Sequence, residues 1–152
     1  MHTAKQITVN FANKPGRMAA VLDALSKAKV NLLALCVMNS RDRGRLRMVP
    51  DDAQAAEKAL QRVNIPLELT EVLLVDVSHQ PGAFAKTCQR LAEEHLNIDY
   101  AYCSAAPGRG PQGGALAVIR VNDLAKAQRV LSSGNTSGHR DVRPGRRPVH
   151  AR

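Results

Sequence analysis

Groups that could hold a small charged molecule occur twice in this sequence with the same spacing. The stretch NKPGRMAAVLDALSKAKVN covers residues 13–31, and HQPGAFAKTCQRLAEEHLN covers residues 79–97. Both place Pro-Gly at the third and fourth positions, Leu at the thirteenth and Asn at the last. Apolar residues at helical spacing follow, which predicts a helix that begins just after each glycine. The unpaired N–H groups and positive dipole end of such a helix suit an anion, for example an amino-acid carboxylate.

Side chains near these helix starts extend the candidate site. Gly16 and Gly82 lack a Cβ atom, so a ligand can approach their backbone closely. The side-chain amide of Asn13 offers both an acceptor and donors, and could bind an ammonium and a carboxylate in turn. Pro-Gly is also an ordinary turn before a helix, and Asn31 and Asn97 are also ordinary helix C-caps. For each residue taken alone, a purely structural role therefore stays open.

The sequence contains no recognisable catalytic or metal-binding arrangement. It has no carboxylate pair at a fixed spacing, no Ser-His-Asp pattern and no H-E-x-x-H, and its three cysteines lack metal-ligand spacing. GRGPQG at residues 108–113 matches G-x-G-x-x-G, but a strand pattern follows it instead of a helix, which favours a hairpin loop. We therefore expect no enzymatic activity, no metal and no other cofactor.

The surrounding pattern predicts two copies of one α+β unit. Alternating apolar residues in ITVNFA and LLVDVS predict the strand before each Pro-Gly, and LLALCVM and IDYAYCS predict the strand after each helix. A third strand and a second helix follow in both copies, and PLELTE adds a fourth strand to the first copy. The order β-α-β-β-α-β is the ferredoxin-like plan, an antiparallel sheet with both helices on one face.

The repeat also sets the predicted domain boundaries. We predict a first unit over residues 1–71, a second over residues 72–131 and a disordered, basic tail over residues 132–152. The two units follow one another without a linker, and we expect them to pack side by side because about 65 residues is marginal for a lone domain. No alternating apolar strand follows the last helix, so the fourth strand of the second unit is either missing or supplied by an improbable segment.

The doubled signature of strand, x-x-Pro-Gly, helix and Asn resembles tandem ACT domains, the small-molecule regulatory modules of amino-acid metabolism. The resemblance covers roughly residues 5–131 and is closest to stand-alone proteins of two ACT units. It implies that a ligand lies between the units, where the Pro-Gly loop of one faces the end of the first helix of the other. The residues of one such site are Asn13, Pro15, Gly16 and Asn97. The residues of the other are His79, Gly82 and Asn31, with histidine in place of the asparagine of the family pattern.

The resemblance implies a non-catalytic regulatory protein that binds an amino acid and whose ligand-dependent conformation is recognised by a protein partner. The alternative is a structural oligomerisation module, or a regulatory subunit that binds no metabolite. An RNA-recognition module shares the ferredoxin-like plan, but it needs aromatic residues on its third strand. The third strands here, RLRMV and ALAVIRV, contain none, which excludes that function class.

Charge and hydropathy restrict the partners and the location. The net charge is +9, but residues 132–152 hold five Arg against one Asp, so nucleic-acid binding is expected only through this tail. No apolar stretch is long enough for a signal peptide or a membrane span. The odd number of cysteines favours free, mostly buried thiols in a reducing compartment. We therefore expect a cytoplasmic protein without membrane contact.

The strand LLALCVM predicts self-association. It is apolar on both alternating faces, which indicates that both faces are covered. The chain has too few helices to cover the second face, and side-by-side packing of the units would only extend the sheet. We therefore expect a homodimer in which two sheets pack face to face and cover Leu33, Leu35 and Val37.

Overall fold

The structure, a computed structural model, describes residues 1–106 and 114–133. The predicted hairpin loop at residues 108–113 and residues 134–152 of the predicted tail lie outside the described residues. The described residues form six strands and four helices. Their bounds are β1 (His2–Ala12), α1 (Arg17–Lys27), β2 (Leu32–Ser40), β3 (Arg43–Pro50), α2 (Ala53–Arg62), β4 (Glu68–Ser78), α3 (Ala83–Glu93), β5 (Ile98–Ala106), β6 (Gly114–Val121) and α4 (Leu124–Ser132).

All six strands form one antiparallel sheet in the order β2-β3-β1-β4-β6-β5. The first copy of the repeat supplies β2, β3 and β1 with helices α1 and α2, and the second supplies β4, β6 and β5 with helices α3 and α4. This architecture confirms the predicted class, an α+β protein made of two ferredoxin-like units that lie side by side.

The two copies share their central strands. The first half of β1 pairs with the first half of β4, from His2 opposite Leu74 to Thr8 opposite Glu68. The second half of β1 pairs with β3, and the second half of β4 pairs with β6. Among the described residues no strand follows α4. The place beside β4 that a fourth strand of the second unit would take is held by the first half of β1.

Each pair of helices covers its own apolar cluster on one face of the sheet. Helices α1 and α2 pack on Ile7 and Val9 of β1 and on their neighbours in β3, and helices α3 and α4 pack on Leu73 and Val75 of β4 and on their neighbours in β6. Because Ile7 pairs with Leu69, four positions before Leu73, these residues of β1 and β4 project to the same side. All four helices therefore lie on one face, as predicted.

The opposite face, which we call the inner face, is also buried. The outer strands β2 and β5 contact each other although they stand at opposite ends of the sheet, so the sheet curls around this face. A third apolar cluster lies there. Its buried members are Ala34, Val49, Val72, Leu74, Leu116 and Val118.

The curl corrects the argument that one chain cannot cover the second face of LLALCVM. Ala34 is buried and Leu33 is partly buried within the chain itself. Leu35 and Val37 project to the opposite side of β2 and stay exposed, at 45% and 43% of their surface. Covering the inner face therefore does not require a second copy of the protein.

The two-sided burial of β4 makes a testable prediction. Leu73 and Leu74 project to opposite faces and are both fully buried, whereas Leu69 on the same strand is 41% exposed. We expect Leu74→Ala to lower the free energy of unfolding by about 2–5 kcal/mol, as much as Leu73→Ala, because both leave a cavity. Leu69→Ala is the matched control and should cost less than about 1 kcal/mol. Urea unfolding measures all three, and a Leu74 variant as stable as the Leu69 variant would contradict the curled sheet.

Candidate functional site

The two Pro-Gly loops have the same backbone geometry. Gly16 and Gly82 have φ values of 85° and 80°, which lie in the left-handed region that side chains other than glycine disfavour. A Cβ atom built on either glycine would meet nothing within 4 Å, so the space above both is open. The loops therefore combine a glycine that the backbone requires with room for a ligand.

The helices after these loops lack the caps that the other two helices have. Asp52 accepts a hydrogen bond from the N–H of Ala55 at 2.9 Å, and Asp123 accepts one from the N–H of Lys126 at 2.9 Å, so α2 and α4 are capped by their own chain. Among the described residues, no side chain caps α1 or α3. Two of the four helices thus begin with N–H groups that an external anion can approach.

The other predicted residues of the loops lie at the surface. Asn13 is exposed, and its backbone N–H donates to the carbonyl of Asp42 at 2.9 Å. Pro15 lies beside Gly16 at the surface, and His79 occupies the position of Asn13 in the second loop and is also exposed. Nothing in the described residues occupies the side-chain amide of Asn13, which leaves it available to a ligand.

Asn31 and Asn97 do not cap the first helices. The left-handed residues after α1 and α3 are Lys29 and His95, with φ values of 57° and 55°, so the C-cap interpretation of these asparagines is wrong. Lysine and histidine take this conformation because the next backbone N–H in each case closes a six-residue loop onto the helix, as in the 3.1 Å bond from Val30 to the carbonyl of Leu25.

Each asparagine instead joins the start of a strand to the loop that precedes the second helix of the same unit. The N–H of Asn31 donates to a carboxylate oxygen of Asp51 at 3.1 Å, and the N–H of Asp51 donates back to the carbonyl of Asn31 at 2.9 Å. Asn97 and Asn122 make the same reciprocal pair at 3.1 and 3.2 Å. Both asparagines are exposed to solvent.

Within the described part of one chain, no hydrogen bond joins a Pro-Gly loop to the asparagine of the other unit. The sheet register gives the reason. Asn31 precedes Leu32, which pairs with Pro50 near the middle of the sheet, and Asn97 precedes Ile98, which pairs with Val121 at a similar level. The Pro-Gly loops follow the far ends of β1 and β4. The two predicted pairings of loop and asparagine stay predictions.

A cavity that the sequence did not reveal lies beside the first loop. It has a volume of about 640 Å³ and runs along α1 between β1 and the segment that connects α2 with β4. Arg17, the first residue of α1, lines it together with apolar side chains, among them Phe11, Val21 and Ile65. Such a lining offers a cation for a carboxylate and an apolar space for a side chain. The only sequence signal was the arginine directly after Gly16, where the second copy has an alanine.

The charges along this cavity are arranged unevenly. Asp23 and Lys27 both line it and form an ion pair at 2.7 Å, and the hydrogen bond and charge of Asp23 raise the pKa of Lys27. The pair is exposed, so it contributes little stability. No carboxylate of the described residues pairs with Arg17, which leaves its guanidinium as the uncompensated cation of the cavity.

The tyrosines lie away from the loops. Tyr100 and Tyr102 project from β5 onto the inner face. The Tyr100 hydroxyl accepts a hydrogen bond from the side-chain nitrogen of Gln6 at 2.7 Å, and the Tyr102 hydroxyl donates one to the side-chain oxygen of Gln6 at 2.9 Å. Burial raises the pKa of Tyr102 above its usual value; Tyr100 and Cys36 add to the rise, and Arg47 opposes it. The tyrosines therefore belong to the interior of the curled sheet, not to either predicted site.

Further observations concern the cysteines, clusters of metal-ligating side chains and membrane-spanning helices. All three cysteines are free, but Cys103 is exposed and Cys36 and Cys88 are only partly buried, so the prediction of mostly buried thiols is wrong. Among residues 1–106 and 114–133, no group of three potential metal-ligating side chains comes together, and none of the helices there is long and apolar enough to cross a bilayer.

Comparisons with known proteins agree with this architecture. A crystal structure of protein BT0572 from Bacteroides thetaiotaomicron is 34% identical, with a TM-score of 0.79, and the match covers 86% of this chain and 88% of that one. The regulatory subunit of aspartate kinase from Thermus thermophilus is 20% identical, with a TM-score of 0.62, over 88% of this chain and 97% of that one. At this identity the second likeness shows the fold. No curated protein sequence matches the chain.

The sequence pattern of a whole family covers both units. The family model described as an ACT domain pair matches residues 2–137. This span contains both Pro-Gly loops, all four helices and the complete six-stranded sheet. Because the match extends over most of the 152 residues, the chain belongs to the ACT domain pair family.

Proposed function

We propose that this protein is a non-catalytic regulatory protein of the cytoplasm. It binds an amino acid, and its ligand-dependent conformation is recognised by a protein partner. The observation that carries the proposal is the contrast between its helices. Aspartates cap α2 and α4, whereas α1 and α3 begin uncapped behind an open Pro-Gly loop. A chain that caps two helices with its own carboxylates and leaves two open is suited to receive carboxylates from a ligand.

The first loop is the better of the two binding positions. Asn13, Pro15 and Gly16 directly precede Arg17, which lines the cavity. A ligand carboxylate at the start of α1 would therefore meet both N–H groups and a guanidinium. The ligand side chain would enter the apolar part of the cavity. The cavities beside the second position, with His79 and Gly82, are smaller, about 270 and 440 Å³. They contain Lys86 and Arg90 respectively, and the carboxylate of Asp76 lines both.

Asn97 and Asn31 complete these positions in our proposal through a second copy of the protein. Within one chain they lie apart from the loops, and a homodimer can bring the asparagine of one copy to the loop of the other. The exposed side chains of Leu35 and Val37 on the outer strand β2 support such a dimer, since they leave an apolar strip next to unpaired strand edges.

Ligand binding is tested by a melting screen of the full-length protein against the twenty amino acids. A ligand present at 100 times its dissociation constant should add about 2.7 kcal/mol of stability, because it binds only the folded state. Calorimetric titration then gives the affinity of any amino acid that shifts the melting curve. If no amino acid or related metabolite shifts it, the chain is the alternative, a structural or regulatory module that binds no metabolite.

The role of the first loop is tested by Asn13→Ala, with Gln54→Ala, at an exposed amide on α2 away from both loops, as the control. We expect the Asn13 variant to lose affinity for the ligand found in the screen while its stability changes by no more than about 0.5–1.5 kcal/mol. The fold should persist because the bond to Asp42 uses the backbone of Asn13. Equal ligand affinity in the Asn13 variant and the unmodified protein would remove this loop from the site.

The dimer is tested by light scattering coupled to size exclusion. We expect a mass of twice the 16.5 kDa of one chain, and a return to one chain in Val37→Lys because the added charge cannot be buried in the contact. Leu69→Lys, at a similarly exposed leucine away from β2, is the control and should remain dimeric. A monomer mass for the unmodified protein at tens of micromolar concentration would exclude the dimer.

A further inference from the structure

A second set of cations, unrelated to the Pro-Gly loops, lies on the inner face of the sheet. Arg43, Arg45 and Arg47 alternate along β3 and project to the side opposite Leu46 and the helices. A cavity of about 430 Å³ opens in front of them. The residues that line it are Asn10, Met38, Asn39, Ser40, Arg43, Gly44, Arg45 and Arg47.

The charge of these arginines is not neutralised by the part of the chain that the structure describes. Arg45 donates from Nε to the side-chain oxygen of Asn10 at 2.9 Å, and Arg47 donates to the sulfur of Met38 at 3.1 Å. None of the described residues that line the cavity is acidic. The guanidinium groups therefore keep donors that can bind an anion from solution.

The deepest of the three arginines is held in place by a buried network. The guanidinium of Arg47 stacks on the ring of Tyr100, 3.9 Å from its centroid. Gln6, which is fully buried, donates to the hydroxyl of Tyr100 at 2.7 Å and to that of Thr8 at 3.3 Å. Because these contacts fix Tyr100, they also fix the ring against which the guanidinium of Arg47 stacks.

The second copy of the repeat shows that the fold does not need these arginines. Val9 pairs with Leu46 in the first copy and Val75 pairs with Ala117 in the second, so the two registers can be superimposed. Leu116 then takes the place of Arg45, and Val118 takes the place of Arg47. Both apolar residues are buried in the inner cluster. The same strand thus packs well with leucine and valine, and the arginines serve another purpose.

We propose that this cavity binds a small dianion, a phosphate monoester or a dicarboxylate. Two or three guanidinium groups that converge without a carboxylate match two negative charges, which each guanidinium can bind through paired hydrogen bonds. A zwitterionic amino acid fits poorly because the cavity offers no acidic partner for an ammonium group. This site is separate from the Pro-Gly loops and does not depend on what they bind.

Tyrosine fluorescence provides a local reporter for this site. The chain contains no Trp and two Tyr, and both tyrosines lie on the inner face within the network that holds Arg47. We would titrate the full-length protein with inorganic phosphate and, separately, with succinate, against sodium chloride at the same ionic strength. The expected result is a saturable change in tyrosine emission with at least one dianion and none with chloride.

The variants use the residues of the second copy. Arg45→Leu should lower the affinity for the dianion at least about tenfold, since it removes a charge-assisted hydrogen bond. Arg129→Leu, on the exposed surface of α4, makes the same change of charge and should leave the affinity unaltered. Arg45→Gln serves as the second variant should the leucine variant fold poorly, as judged by its circular dichroism.

The outcomes separate the proposal from its competitors. A saturable response to phosphate alone assigns the site to phosphate esters, and one to succinate alone assigns it to dicarboxylates; either supports the proposal. No saturable response to either dianion overturns it, as does equal affinity in the Arg45 and Arg129 variants. Retention of a DNA or RNA oligonucleotide that phosphate fails to displace would also overturn it, and would assign the arginine strand to nucleic acid.

Discussion

The pairing of β1 with β4 is the interaction on which the rest of the structure depends. Residues 2–8 of one strand and 68–74 of the other form an antiparallel ladder whose centre is the pair Lys5 and Glu71. These two residues are also equivalent in the repeat, since they lie 66 positions apart, so the approximate two-fold axis passes between them. Each strand begins in one unit and ends in the other. Neither unit can therefore complete its sheet without the other.

This shared pair also explains the curled sheet and its interior. With four outer strands flanking two long central ones, the twist of the sheet accumulates until β2 and β5 meet. The inner face then closes on itself. The second copy of the repeat contributes Val72, Leu74 and their apolar neighbours to this face. The first copy has the polar residues Gln6 and Thr8 at the equivalent positions of β1. Gln6 is tolerated there because its donors reach Thr8 and Tyr100 and its oxygen accepts from Tyr102.

Local patterns were enough to predict the elements, and pairings between distant segments were not. Period-two and helical spacings predicted the strands and helices of both copies, and Pro-Gly predicted the turns that Gly16 and Gly82 make. The first half of β1, HTAKQ, has no apolar alternation, because Lys5 lies on the axis and Gln6 bonds to tyrosines of a distant strand. Its role beside β4 was therefore hidden. The cavity along α1 was hidden for a similar reason, since Arg17 and Ile65 meet only after α2 has returned the chain to β1.

The direction of the central strands determines where binding events can occur. Because β1 and β4 are antiparallel, the loops that follow them lie at opposite ends of the sheet. In the proposed function, a ligand at the first loop would contact the end of β1, whose other half is the neighbour of β4. A ligand at the second loop would contact the end of β4, whose other half is the neighbour of β1. Each loop is thus joined by continuous backbone to the half-strand that supports the other unit.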